Sequence, residues 1–425
     1  MHEFILTSCL EDHIVSVHVW DPQTGTEVMT FKEGGTVKSR TLSLLGSDYV
    51  IAAQQLKPVL TVWPVNSQKP LHAPRLLCTG HVSALAPSPD AAYIAVAVQE
   101  KINIYQVCSG FLMGTGIRHF QPITVIRWSS DGSHVICGGD DGLVTVWNIA
   151  RIVSRDVRPE PEYTFCDHKL PITDIAIGGV HTGARLASVS ADGTCRIYSL
   201  TSGKALLTIV FNEVLTSVAL NSVETDLFVG GTSGNIFQVH LQAQNETSVE
   251  QTFFDPQFNV NSKSIFSGHE KAVTCLSCSE SGATLLSGSN DETVKLWHIS
   301  SKQCLRTIGM KGAVTNSSFV RASKYMFDQN ELKRSVILRP FQKSISSEEQ
   351  NEYCLEILTD QDISSKWTAS EDCFSNKYSR RLAFDDGGDD SHLEDMKLEI
   401  SRLRDINEKL YKFSVENLLR KREES

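Results

Sequence analysis

Residues 268–297, GHEKAVTCLSCSESGATLLSGSNDETVKLW, decide the fold. Gly268-His269 precedes an alternating apolar run from Ala272 to Ser277, and Ser279-Glu280-Ser281-Gly282 forms a turn before a second run, Thr284 to Gly288. Asp291-Glu292 then turns the chain into Thr293 to Trp297, and Cys304 to Ile308 supplies a fourth segment. Period-two alternation bounded by turn residues marks each segment as a strand, so the unit is a four-stranded antiparallel sheet. Such a sheet has two apolar faces that only further copies of itself can cover.

Six more copies of the third strand are legible. Val17-His18-Val19-Trp20, Leu60-Thr61-Val62-Trp63, Ile102-Asn103-Ile104-Tyr105, Val144-Thr145-Val146-Trp147, Cys195-Arg196-Ile197-Tyr198 and Ile236-Phe237-Gln238-Val239 precede Val294-Lys295-Leu296-Trp297. Their ends stand 43, 42, 42, 51, 41 and 58 residues apart. Four intervals fit one blade of about 40 residues, and the two long ones locate insertions. Turn pairs Asp141-Gly142, Asp192-Gly193 and Ser233-Gly234 fall in phase, as does Gly80-His81. The pattern predicts an all-β, seven-bladed propeller over residues 1–340.

The repeat resembles the WD-repeat family, most clearly from Gly268 to Trp297. In that family a His, a Ser or Thr, an Asp and a Trp form a buried hydrogen-bonded set. The resemblance implies His269, Ser287 or Ser289, Asp291 and Trp297 for those roles. Tyr105, Tyr198 and Val239 replace the tryptophan in other copies, so the full set is not expected there.

The first copy lacks an innermost strand, whereas one surplus strand, Gly312 to Phe319, follows the seventh. That segment is expected to pair with the first blade and clasp the ring. Insertions at 148–168 and 240–266 read as long loops between strands. Residues 341–391, ending in Asp385-Asp386-Gly387-Gly388-Asp389-Asp390, read as a flexible acidic linker. Residues 392–420 change character again. Leu393, Met396, Ile400, Leu403, Asn407 and Leu410 follow alternating steps of three and four, a heptad seam with Asn407 at a core position. A helix of this length is marginal alone, so coiled-coil dimerisation is expected, with homotypic and heterotypic pairing both open.

Composition removes several function classes. With 40 basic and 50 acidic residues the net charge is −10, which disfavours a broad grip on nucleic-acid phosphates. No apolar run nears the roughly 20 residues of a membrane span, and the start lacks a secretory signal pattern, so an intracellular, membrane-free protein is expected. Eleven scattered cysteines then read as reduced thiols. Cys275-Leu276-Ser277-Cys278 is the one C-x-x-C pair, and residues three apart on a strand point to opposite faces, so no metal is expected. Gly138 to Gly142 is glycine-rich but has no following helix or Walker lysine, which makes it a turn rather than a phosphate loop. No hydrolase or kinase motif occurs, His269 reads as structural, and neither enzyme activity nor a cofactor is expected.

Taken whole, the chain resembles the WD-repeat subunits of the rixosome, the complex that contains the PELP scaffold in animals. The residues that carry this are Leu170-Pro171-Ile172-Thr173-Asp174, Ser233 to Val239, Ser287 to Trp297, Lys311 to Asn316 and the tail from Leu403 to Leu410. The resemblance implies a non-enzymatic assembly subunit acting in late large-ribosomal-subunit maturation and pre-rRNA processing. Its implied partners are the PELP-type scaffold, other rixosome subunits and the pre-ribosomal large subunit. It also implies nuclear residence, nucleolar and nucleoplasmic, with a cytoplasmic pool open. A ubiquitin-ligase receptor or adaptor is the competing reading, but Trp20-Asp21-Pro22-Gln23 and Trp147-Asn148-Ile149-Ala150 lack the W-D-x-R pattern it would carry.

Overall fold

The computed structural model describes residues 3–10, 15–153, 159–179, 184–241, 250–253, 265–321 and 336–342. All belong to the first of the two units into which the chain divides, Met1–Leu358. Seven antiparallel sheets follow one another around a ring. Their third strands are Val15–Trp20, Val59–Pro64, Lys101–Gln106, Val144–Asn148, Thr194–Ser199, Ile236–His240 and Thr293–His298, each containing one of the seven motifs read from sequence. Linker and heptad seam, with Leu393, Met396, Ile400, Leu403, Asn407 and Leu410, lie outside the described residues.

Seven apolar clusters hold the ring, and each is shared between neighbouring blades. Ile51 and Leu60 of blade 2 pack with Ile94 and Val96 of blade 3, for example, while Val146 and Phe165 of blade 4 pack with Ile175 and Leu186 of blade 5. The last cluster joins Leu286 and Leu296 of blade 7 to Ile5 of blade 1. Burying one such side chain contributes about 1.5–3 kcal/mol, a gain that exists only when the neighbour is present. Innermost strands are also tied hydroxyl to carbonyl. Thr124, Thr216 and Thr274 donate to the carbonyls of Ile172, Val273 and Val314 on the next blade at 2.6, 2.6 and 2.7 Å.

Closure follows the expected order. Val314–Arg321 lies antiparallel to Glu3–Cys9, in register from Glu3↔Arg321 to Ser8↔Asn316 with a bulge before Cys9↔Val314, and so supplies the innermost strand of blade 1 from the far end of the ring. Asn316 Nδ2 adds bonds to Ser8 Oγ and to the Lys38 carbonyl of the loop entering blade 2, both at 2.9 Å.

Both insertions contain more than loop. Residues 148–168 hold a short helix, Ile149–Val153, and the outer strand of blade 4, Tyr163–Phe165. Within 240–266, Glu250–Phe253 runs parallel to Ala205–Val210 and adds a fifth strand to blade 5, one blade back, before Ile265–Phe266 completes blade 6. Past the closing strand, the chain returns to blades 2 and 3. Val336 N–H donates to Asp48 Oδ2 at 3.0 Å, Gln342 N–H to the Gly110 carbonyl at 2.9 Å, and Phe341 stacks on Tyr105 with ring centroids 4.2 Å apart. Phe341 and Gln342, assigned to the linker by sequence, are therefore part of the docked strap.

Candidate interaction face

In an antiparallel blade, the turn between second and third strands and the link from the outer strand to the next blade emerge on the same face of the ring. The expected polar set forms there in blade 7. His269, in the link before the inner strand, sits between Asp291 of the turn and Ser287 of the second strand. His269 Nδ1 is 2.8 Å from Asp291 Oδ2, His269 Nε2 is 2.7 Å from Ser287 Oγ, and Trp297 Nε1–H donates to that same Oγ at 2.8 Å. Ser287 rather than Ser289 is thus the member; Ser289 Oγ–H donates to the Lys271 carbonyl and accepts the Asp291 N–H.

Burial of His269 lowers its pKa, which favours the neutral ring. A single proton order then satisfies every atom: Trp297 to Ser287, Ser287 to His269, His269 to Asp291. Bonds from Thr293, His269 and Glu270 outweigh the burial of Asp291 and hold its pKa down at about 2. The Ser–His–Asp order is that of a hydrolase triad, but Ser287 is fully buried and occupied by the indole. It offers no nucleophile to a substrate.

Two further sets were not named from sequence. Blade 4 builds a complete one from His119, Asp141, Thr145 and Trp147: His119 Nδ1 is 3.1 Å from Asp141, and Thr145 Oγ1 lies 2.9 Å from both His119 Nε2 and Trp147 Nε1. Its hydroxyl has changed strands. Ser287 is registered opposite Lys295, whereas the equivalent pair in blade 4 is Cys137↔Thr145, so the third strand supplies what the second lacks. Blade 5 keeps His168, Ser188 and Asp192, at 2.7 Å from His168 Nε2 to Ser188 Oγ and 3.2 Å from Nδ1 to Asp192, while Tyr198 Oη–H donates to Asp167. The turn pairs Asp141-Gly142 and Asp192-Gly193 were the legible signal. Gly142 has φ +76°, and a Cβ there would stand 2.8 Å from the His168 carbonyl, so the turn also needs its missing side chain where it meets the next blade.

Each set fixes one exposed position. The carboxylates of Asp141, Asp192 and Asp291 accept the backbone N–H of Phe120, Lys169 and Glu270 at 3.0, 3.2 and 3.1 Å. An aromatic, a cation and an anion are thereby presented by one repeated frame. Phe120 is 76% exposed, and Ile117, Leu170 and Val214 are further exposed apolar side chains near the links that join blades 3 to 6. Rigidly mounted, solvent-facing loop residues of varied chemistry suit recognition of another macromolecule.

The central channel is bridged. Arg40 reaches inward from the link between blades 1 and 2, its guanidinium 3.7 Å from Asp174 of blade 5, and donates to the Thr216 carbonyl of blade 6 at 3.2 Å. Arg127 of blade 4 approaches the same carboxylate at 3.6 Å. Blades 4, 5 and 6 and the link between blades 1 and 2 therefore meet at Asp174, which also accepts the Val218 N–H at 3.1 Å.

Cys275 and Cys278 occupy different surroundings. Ser317 Oγ–H points to Cys275, while Cys278 lies by the Thr284 carbonyl, and burial pushes the Cys278 thiol up to about 12. Among the described residues there is no group of three His, Cys, Asp or Glu placed to hold a metal, and no helix is long and apolar enough to cross a membrane.

The WD domain, G-beta repeat model matches residues 111–148, 159–199 and 260–298. These windows end on the third strands of blades 4, 5 and 7, which contain the three histidine sets. WD repeat-containing protein 18 of Danio rerio is 34% identical over 429 residues, covering 98% of this chain and 98% of that protein. The chain belongs to the WD repeat-containing protein 18 family. Its Homo sapiens member is 35% identical over 339 residues, 79% of this chain and 76% of the relative. Pre-rRNA-processing protein pro-1 of Caenorhabditis briggsae is more distant, at 26% over 327 residues, 75% of this chain and 60% of that protein. In this member the three sets brace the face from which Phe120, Lys169 and Glu270 project.

Proposed function

We propose that this member of the WD repeat-containing protein 18 family is a non-enzymatic assembly subunit in pre-rRNA processing and late maturation of the large ribosomal subunit. In this reading the propeller binds a PELP-type scaffold within the rixosome, the 393–410 seam pairs two chains, and the complex works in the nucleolus and nucleoplasm on the pre-ribosomal large subunit. The observation that carries it is end-to-end similarity: alignment with the Danio rerio relative spans 98% of the chain and so includes the tail as well as the ring. The similarity to a protein named for pre-rRNA processing supports the process, and the exposed row Ile117, Phe120, Leu170 and Val214 supports a binding role for the ring.

Tagged protein purified from nuclear extract should bring down a PELP-type scaffold and large-subunit precursors. Recovery of a ubiquitin-ligase adaptor without either would sink the proposal. For the tail, Ile400→Asp with Leu403→Asp should reduce the oligomer mass in light scattering; an unchanged mass refutes the pairing seam.

A further inference from the structure

The outer strand of every blade is an edge whose backbone groups need cover. Five of the seven edges are short or covered, and that of blade 1 is tied at one end. Those of blades 2, 4 and 6, Leu76–Leu77, Tyr163–Phe165 and Ile265–Phe266, are only two or three residues long. The blade 3 edge, Leu112–Ile117, abuts the short helix, whose Ile152 carbonyl stands 2.3 Å from where a Cβ on Gly114 would be. Blade 5 is covered by Glu250–Phe253. Lys32, at the end of the blade 1 edge, donates its N–H to the Gln68 carbonyl of the neighbouring blade at 2.8 Å.

Blade 7 differs. Its outer strand, Cys304–Gly309, runs six residues, and among the described residues no strand pairs with its outer side. Cys304, Leu305, Arg306 and Thr307 are exposed in succession, Leu305 at 50%, and a Cβ on Gly309 would meet nothing within 4 Å. Charge is just as uneven. Residues 293–321 contain Lys295, Lys302, Arg306, Lys311 and Arg321 without a single Asp or Glu, in a chain of net charge −10. Arg306 lies on the edge itself, opposite Leu296, and Lys295, opposite Thr307, projects from the other face of the sheet toward Thr307 Oγ1, 3.4 Å away.

We propose that Cys304–Gly309 is a docking site for an acidic, extended segment of a partner protein, which adds to blade 7 as a fifth strand. Blade 5 shows that an outer edge of this ring accepts such a strand. Main-chain bonds would supply affinity, and Arg306 on one face and Lys295 on the other the selection for carboxylates at adjacent positions. A second copy of this chain is the wrong occupant, because two such edges would set cation against cation. RNA would use the charge but leave the strand's backbone groups unpaired.

The test uses the full chain and a fluorescent peptide of about eight residues, long enough to line one strand, with glutamates at adjacent positions, one toward each face, between valines. Anisotropy should report binding, and amide exchange should slow at 304–309. Leu305→Glu, which leaves the Arg306 contact with Gln23 in place, should weaken binding about tenfold or more, equivalent to about 1.4 kcal/mol. Lys295→Glu with Arg306→Glu should switch preference to a lysine–valine peptide. Unchanged affinity in these variants, or protection elsewhere, overturns the proposal. So does no binding, displacement of the peptide by a single-stranded RNA oligomer, or concentration-dependent protection at 304–309 without peptide.

Discussion

Replacing Ser287 by Ala should destabilise the ring about twice as much as replacing Ser188 by Ala, although both serines occupy the same place in their blades. Ser287 Oγ serves two buried groups, accepting from Trp297 Nε1 at 2.8 Å and facing His269 Nε2 at 2.7 Å. Trp297 is 2% exposed, so water cannot replace the lost partner. Each buried polar group left unpaired costs about 1–3 kcal/mol, which puts S287A at roughly 2–6 kcal/mol. Ser188 faces His168 Nε2 at 2.7 Å and also bonds the Tyr198 hydroxyl, but Tyr198 retains Asp167 as its acceptor, so S188A should cost about 1–3 kcal/mol. Thr145→Ala breaks the same two bonds in blade 4 as S287A does in blade 7 and should match it. Urea unfolding followed by tryptophan fluorescence and circular dichroism would rank the three variants. Equal losses for S188A and S287A, or a T145A effect within about 0.5 kcal/mol of wild type, would refute the idea that the bridging hydroxyl carries the set.

Removing residues 312–320 should lower the thermal midpoint sharply, since it strips blade 1 of its innermost strand; an unchanged midpoint rejects the clasp. Gly234→Ala should destabilise by about 1 kcal/mol or more, because φ is +87° and its Cβ would lie 2.4 Å from the His269 carbonyl, and denaturation midpoints would show it. The acid limb of stability should follow Asp291 and His269. Asp291 is depressed to about 2, so its contribution is present above about pH 4 and fades as pH falls through about 2. His269, lowered by burial, resists charging, and stability falls as pH drops below its ordinary value near 6.5. Asp291→Asn should flatten the loss between about pH 4 and 2 in urea midpoints measured across pH; an unaltered profile would remove Asp291 from the account.

The third strands were legible because alternation, a terminal aromatic and an Asp-Gly or Ser-Gly turn are all local signals. The histidine sets were only partly so. His269 follows glycine, as the motif leads one to expect, whereas His119 follows Arg118 and His168 follows Asp167. Thr145 was hidden by register: its hydroxyl substitutes for one missing at Cys137, and only the pairing Cys137↔Thr145 exposes the exchange. The strand Glu250–Phe253 was missed for a related reason, because its partner Leu207–Val210 lies some 40 residues away and runs parallel. Likewise, nothing in Val336 to Gln342 alternates. Its order comes from the Tyr105 ring that receives Phe341, at a position where other blades carry tryptophan.

That receiving ring has a mechanical consequence. The strand that closes the propeller is also the last strand among the described residues, so tension on the chain beyond it would otherwise peel Val314–Arg321 directly from Glu3–Cys9. The strap places the first yield point elsewhere. A pull from beyond residue 342 meets the Gln342 bond to Gly110 and the Phe341–Tyr105 stack, then Val336 at Asp48, before any force reaches the seam. Blades 2 and 3 thus act as a cleat, and the joint that keeps the ring closed stays slack under a pull on the chain beyond residue 342.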